Sequence, residues 1–200
     1  MSSCIDDTIG GFNLQLETLK ALETRYPSQN FLVSLTYFNS EVDFLISNEV
    51  VSEVSKLDGK NYRPSGSTSL LDAIGLSIQR IERQLGAKIE IDEASVVFVI
   101  LTDGQENSSR QFQYSEIARM IQKLENTDKW TFSFLGADID AFTVSEYLNI
   151  RKENVMAFEK RVMSQTYHDI STSLHDYAMQ KSQGVTKKDL LDKIRNKDRR

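Results

Sequence analysis

The sequence predicts an α/β fold, a doubly wound and mostly parallel sheet flanked by helices. Three observations predict it. Residues 95–104 (SVVFVILTDG) and 131–137 (TFSFLGA) are nearly continuous runs of apolar, β-branched and small residues, as in strands covered on both faces. Around them lie segments whose apolar residues recur at steps of three and four, the mark of one helix face. The two kinds alternate along the chain, as parallel strands joined by crossover helices do.

Each element is justified in order. A first helix runs from Ile5, with Ile5, Ile9, Phe12, Leu16, Leu19 and Leu22 on one face and Pro27 closing it. Gly10 and Gly11 weaken it intrinsically, which predicts close packing against a neighbouring backbone. Residues 31–38 (FLVSLTYF) predict a strand covered on both faces, Asn39 and Ser40 a turn, and 41–47 (EVDFLIS) the returning strand of a hairpin. The next stretch is polar and predicts a weak helix and then a loop. Residues 64–69 (PSGSTS) are a small-residue loop before a strongly periodic helix with Leu70, Leu71, Ile74, Ile78, Ile81 and Leu85, ending near Gly86. The strand at 95–104 delivers Asp103 at its carboxyl end. Then come a helix over 115–124 with Ile117, Ile121 and Leu124 inward, the strand at 131–137, a short helix over 141–148 and a short strand over 154–159. A last helix carries Tyr167, Ile170, Leu174 and Tyr177. Residues 1–180 read as a single domain, and 181–200 as a basic tail with interspersed aspartates, a solvated and frayed helix.

Bulk properties narrow the function classes. A chain of 200 residues fills one α/β domain. Its 40% hydrophobic and 26% charged residues are ordinary for a soluble globular protein. A net charge of -5 argues against wholesale nucleic-acid binding. Cys4 is the single cysteine, so no internal disulfide forms, and it reads as a packing residue. No run is apolar for long enough to span a bilayer, and the first residues are polar and acidic where a signal peptide needs a basic start. These features predict a cytoplasmic protein that engages neither nucleic acid nor membrane.

Two loops carry chemistry, and in open α/β sheets sites sit at the carboxyl ends of strands. Asp103, followed by Gly104, is placed to hold a cation; the structural alternative is a turn or N-cap aspartate. Ser65-Gly66-Ser67-Thr68 precedes a helix, where Ser67 or Thr68 can cap free N–H groups. Thr68 can instead offer a hydroxyl oxygen to magnesium, which prefers hard oxygen ligands and keeps waters that a partner can displace. An anion at the helix start is a third use of the same loop.

Taken together, STSLLDAI, VVFVILTDGQEN and FSFLGADIDA resemble the von Willebrand factor A-type (vWA) domain, especially its bacterial intracellular members, over most of the chain. The resemblance implies a non-catalytic protein-interaction module with a metal-ion-dependent adhesion site built from three loops. Gly66-Ser67-Thr68 and Thr102-Asp103-Gly104 match the second and third loops, and Leu71, Asp72 and Ala73 fit the usual start of the second helix. It implies Thr68 and Asp103 as ligands of Mg2+ or Mn2+, with Ser67, Gly104 and Gln105 binding beside them and Tyr62, Arg63, Glu106 and Asn107 on the rim. The implied partner is a protein whose acidic residue completes the metal's coordination. The family's first loop, Asp-x-Ser-x-Ser after the first strand, has no counterpart, because Met1-Ser2-Ser3 aligns with the positions just past its second serine. The resemblance therefore implies that the central first strand is missing, that the metal site is partial and that the chain is a fragment or starts at an internal methionine. Ser2, Ser3, Asp6 and Asp7 are the available substitutes, and acids at a helix start are ordinarily dipole partners.

An enzyme is the alternative. The strand at 131–137 followed by Asp138-Ile139-Asp140 resembles the nucleophile loop of haloacid-dehalogenase-type phosphatases, with Asp138 and Asp140 holding magnesium and attacking a phosphoryl group. That loop ordinarily comes first in the chain, and little sequence remains after it for the other catalytic loops. His168 and His175, seven apart, share a helix face but are too far apart for a compact metal pair. No phosphate-binding Gly-x-x-x-x-Gly-Lys-Ser/Thr loop is present.

Overall fold

The structure is a computed structural model and describes residues 5–62, 66–185 and 189–191. In chain order the elements are α1 (Ile5–Arg25), β1 (Leu32–Phe38), β2 (Val42–Val50), α2 (Leu70–Glu90), β3 (Val96–Thr102), α3 (Tyr114–Glu125), β4 (Trp130–Ala137), α4 (Ala141–Tyr147), β5 (Val155–Phe158) and α5 (Met163–Ser182). The strands form two sheets, a parallel one in the order β3-β4-β5 and an antiparallel hairpin of β1 and β2. Mixed α/β architecture with a parallel sheet is thus what the alternating pattern predicts. Among the described residues, β1 pairs only with β2, and β3 only with β4.

The period-two alternation of the strands builds a core on each face of the parallel sheet. Val96, Phe98 and Ile100 of β3, with Trp130, Phe132 and Phe134 of β4, pack with Leu70, Ile74 and Ile78 of α2 and Ile117 and Ile121 of α3. On the other face Val97 and Leu101, with Leu135 and Ala137, meet Met163, Tyr167 and Ile170 of α5. A third cluster joins Leu16 of α1 to Val33 of β1 and Ile46 of β2. Helix α1 spans the second and third clusters, since Leu14 reaches one and Leu16 the other.

Gly11 is where α1 meets α5: a Cβ there would lie 2.0 Å from the Tyr167 ring, so only glycine admits this crossing. Gly10 is exposed, and a Cβ there would meet nothing within 4 Å, so it has no such reason.

Several expectations are corrected. The central, wholly buried strand is β4, whereas β3 borders the parallel sheet among the described residues and leaves Val99 40% exposed. Strand β1 is covered on both faces as expected, by α1 through Val33 and Leu35 and by α2 through Thr36 and Phe38, and only Leu32 and Ser34 near its start are exposed. Among the described residues no helix forms between the hairpin and Tyr62. Strand β2 continues to Val50, and the chain then crosses α1 as a loop whose Val51, Val54 and Leu57 are buried. Asn13 of α1 pins that loop by bonding both the N–H and the carbonyl of Leu57. Helix α2 does not stop at Gly86 but runs one more turn, since burying Ile89 offsets the glycine penalty. The stretch expected as a solvated tail is packed where it is described. Leu190 and Leu191 are fully buried, and the Leu190 N–H donates to Asn154 Oδ1 at 2.7 Å. Residues 1–4, 63–65, 186–188 and 192–200, and with them the readings of Ser2, Ser3, Cys4, Arg63 and Ser65, lie outside the described residues. No helix among the described residues is long and apolar enough to cross a membrane.

Candidate functional site

Parallel register brings the carboxyl ends of β3, β4 and β5 to one edge, because Thr102 lies opposite Gly136 and Ala137 opposite Phe158. Asp103, Asp138 and Lys160 come just after those ends in the chain. The loop before α2 comes to the same edge and joins it to β1. There the Ser69 N–H and hydroxyl both donate to the Asn39 carbonyl at 2.7 Å, just beyond Phe38.

The two loops singled out in the sequence meet. The Asn107 N–H donates to the Thr68 carbonyl at 3.1 Å, and the Thr68 N–H to Asn107 Oδ1 at 2.8 Å. Thr68 Oγ1 lies so close to Gly104 that a Cβ there would fall 2.5 Å from it. Gly104 is therefore required by this close approach. Gly66, in contrast, is required by backbone geometry, since its φ of +82° lies in the left-handed region open to glycine. Ser67 and Gln105 are exposed beside the contact, while Thr68, Asp103 and Gly104 are half-buried.

The loop after β3 is folded down on the start of α2 and held there by two carboxylates. Glu106 accepts the N–H of Leu71 at 3.0 Å, those of Ser108 and Ser109 at 2.9 and 2.8 Å, and the Ser109 hydroxyl at 2.6 Å. Burial pushes this carboxyl up, but the Ser109 hydroxyl and the three N–H donors outweigh it and hold it below its ordinary value. Asp72, buried in the first turn of α2, accepts the N–H groups of Arg110, Gln111 and Phe112 at 2.8 to 3.0 Å. Glu106 thus supplies the negative charge that a helix N-terminus favours, and Ser109 Oγ accepts the next free N–H, from Asp72, at 3.1 Å.

These contacts revise the expected site. Neither Ser67 nor Thr68 caps α2, and the helix start is taken by Glu106 rather than by an outside anion. Glu106 braces the loop instead of rimming a surface, while Asn107 is exposed and also braces the loop through its two bonds to Thr68. Tyr62 is buried, its ring edge-on to Tyr37 at 6.2 Å between centroids. Asp140 caps α4, with Oδ1 accepting the Thr143 N–H at 3.1 Å and Oδ2 the Thr143 hydroxyl at 2.7 Å; these bonds lower its pKa. His168 is exposed on α5, and His175 packs edge-on against Tyr26.

Sequence reasoning missed Lys160. Its Nζ lies 2.9 Å from Asp103 Oδ2 and 3.8 Å from Asp138 Oδ2, and its N–H donates to Asp138 Oδ1 at 3.2 Å. The same rule that picked Asp103, a polar residue just past a strand's carboxyl end, applies to Lys160 after β5. As the residues stand they do not fit a divalent ion. Among the described residues the expected set comprises one hydroxyl, Thr68, and one carboxylate, Asp103, that already faces the Lys160 ammonium. No group of three or more His, Cys, Asp or Glu side chains able to hold a metal exists among the described residues.

No family model and no curated protein matches the chain. Solved structures do. Proximal thread matrix protein 1 from the mussel byssus aligns with a TM-score of 0.50 and 13% identity, over 80% of this chain and 40% of that one. The structure of the same protein with a zinc-occupied MIDAS motif gives 0.54 and 12%, over 82% and 40%. The chain thus spans about two fifths of the length of the proteins it matches. At such identities the likeness concerns the fold, and it supports a vWA-like fold for this chain.

Proposed function

We propose that the chain is a vWA-like interaction module that presents the loops at the carboxyl edge of its parallel sheet to a protein partner and performs no catalysis. One observation carries this reading: the loop after β3 is clamped on α2 by Glu106 and Asp72, which leaves Ser67 and Gln105 exposed on a preorganised support. The fold likeness agrees with it. Magnesium or manganese at Thr68 and Asp103 is the finer form of this reading that the family resemblance implies; the local donor set argues against it. A further strand between β1 and β3 belongs to the same proposal. Among the described residues both strands are paired on one side only, and the 67–69 segment ties their carboxyl ends to one edge.

The phosphatase alternative gains nothing from the geometry, because Asp140 spends both oxygens on its cap and Asp138 lies against Lys160. Two experiments test the proposal. A photo-crosslinking residue at Gln105 is expected to trap one defined partner, competed by unlabelled protein, where the same probe at Glu82 of α2 traps none; equal trapping at both positions overturns the assigned face. Magnesium-dependent hydrolysis of an aryl phosphate that disappears in Asp138→Asn overturns the non-catalytic reading.

A further inference from the structure

The geometry points to a second recognition site, at the amino end of β5: Arg151, Asn154 and the apolar cluster beside them form a receptor for a short segment with an acidic residue followed by two leucines. The chain's own Asp189-Leu190-Leu191 occupies it, so a partner presenting that chemistry enters by displacing the tail. Asn154 stands just before Val155, at the opposite end of β5 from Phe158 and the loop edge. The inference goes beyond the interaction-module reading and does not draw on it.

Helix α5 stops well before the docked segment. Gly184, at a φ of +74°, turns the chain out of it, with the Gly184 N–H donating to the Lys181 carbonyl at 3.0 Å and the Val185 N–H to the Gln180 carbonyl at 2.9 Å. Residues 189–191 are then held by three kinds of contact. Arg151 Nε lies 3.3 Å from Oε2 of Glu125, a buried carboxylate at the end of α3, and its Nη1 lies 3.6 Å from Asp189 Oδ1. One side of the guanidinium fork is thus fixed on the protein while the other meets the acidic residue. The fully buried Asn154 accepts the Leu190 N–H at 2.7 Å, a bond to backbone that sets the register of the segment. Leu190 and Leu191 are both fully buried and join the cluster of Leu135, Met163 and Ile170. Full burial of two consecutive side chains requires a pocket rather than a flat patch.

The division of labour follows from exposure. Arg151 and Asp189 are 30% and 41% exposed, so this pair selects for an acid more than it adds affinity. Removing two leucines from water supplies the affinity. In the run KKDLLDKIRNKDRR these leucines are an apolar pair among charged neighbours, which is the form of a short recognition motif rather than of a core segment. A tethered motif acts at an effective concentration of about millimolar, so it stays seated although a three-residue contact is weak by itself. A separate molecule with the same chemistry competes once its concentration or its further contacts exceed that tether.

The test uses a fluorescein-labelled peptide of residues 187–193, KKDLLDK, and the variant Leu190→Asp/Leu191→Asp, which vacates the site. Fluorescence anisotropy measures binding, and the melting temperature with and without peptide measures linkage. The vacated variant is expected to bind one peptide and to melt higher with it, and the parent to bind at least about tenfold more weakly because its own tail competes. A peptide with both leucines replaced by alanine is expected not to bind. A peptide carrying Asp189→Asn is expected to bind several-fold more weakly, and adding Arg151→Gln to the vacated variant is expected to erase that difference. A folded vacated variant that binds no peptide overturns the proposal, as does equal binding by parent and variant. Leu190→Ala and Leu191→Ala keep the test open where the double variant does not fold: each is expected to bind more peptide than the parent, and no gain in either overturns the proposal. Parent dimers that the leucine variants abolish would assign the site to exchange of tails between copies and overturn the reading of a separate partner.

Discussion

Glu106 is the clearest case of a residue whose role is set by its donors. The sequence places it beside Asp103 on a loop and suggests a rim; in the folded chain it terminates α2 and organises its own loop. Its pKa is lowered, so the sign of its pH linkage is definite. The stabilisation is complete above the ordinary value of 4.5 and is lost as pH falls through the lower value of the folded state. Glu106→Gln is expected to lower stability at pH 7 by about 1–2 kcal/mol, since hydrogen bonds to a charged acceptor are lost and partial exposure limits the cost. Below pH 4.5 the gap to the parent narrows. Urea melts of both proteins from pH 7 to pH 3 check this, and a gap that is constant with pH refutes it. Asp103 and Thr68 are legible in the sequence because a strand end and a small-residue loop mark themselves locally. Lys160 is not, because its partners are brought to it by two other strands.

At the scale of elements, the α1–α5 crossing makes an equally sharp prediction. Gly10 and Gly11 look alike in sequence, which predicts a close-packing reason for both. Only Gly11 has one, from the Tyr167 ring. Gly10→Ala is therefore expected to stabilise by about 0.5–1 kcal/mol, the intrinsic gain of alanine over glycine within a helix. Gly11→Ala is expected to destabilise by about 1–3 kcal/mol, the usual range for overpacking a filled contact. Chemical denaturation of the two single variants decides the matter, and shifts of the same sign would show that the crossing is not as described. Periodicity locates α1, α2, α3 and α5 closely, because each buries one stripe. The weak helix expected after the hairpin does not form because that stretch is read poorly by period alone: Val51, Val54 and Leu57 are buried by a loop laid on α1.

For the molecule as a whole, the two sheets predict unequal protection. Strand β4 is buried throughout and paired on both sides from Phe134 to Ala137, whereas β1 and β3 are each paired on one side among the described residues. Amide exchange is thus expected to be slowest in β4, with about a tenfold slowing for each roughly 1.4 kcal/mol of additional opening free energy. Residues of β1 and the outer-facing amides of β3 are expected to exchange first among the strands. Protection of β3 equal to that of β4, measured residue by residue, would mean that another strand covers it in solution.

Local patterning alone sets the order and kind of nearly every element, since alternating and three-to-four-spaced apolar residues report burial along the chain. It also marks the loops that hold Thr68 and Asp103, and the resemblance of those loops to vWA loops implies that they belong together. Tertiary contacts settle the role each polar group takes on meeting residues distant in the chain. Glu106 and Asp72 become clamps because the loop after β3 falls on a helix start more than thirty residues before it. Asp103 becomes the partner of an ammonium because parallel pairing sets the ends of β3, β4 and β5 side by side. A carboxylate's role depends on which charge lies within a few ångströms, and that distance is a property of the folded chain alone.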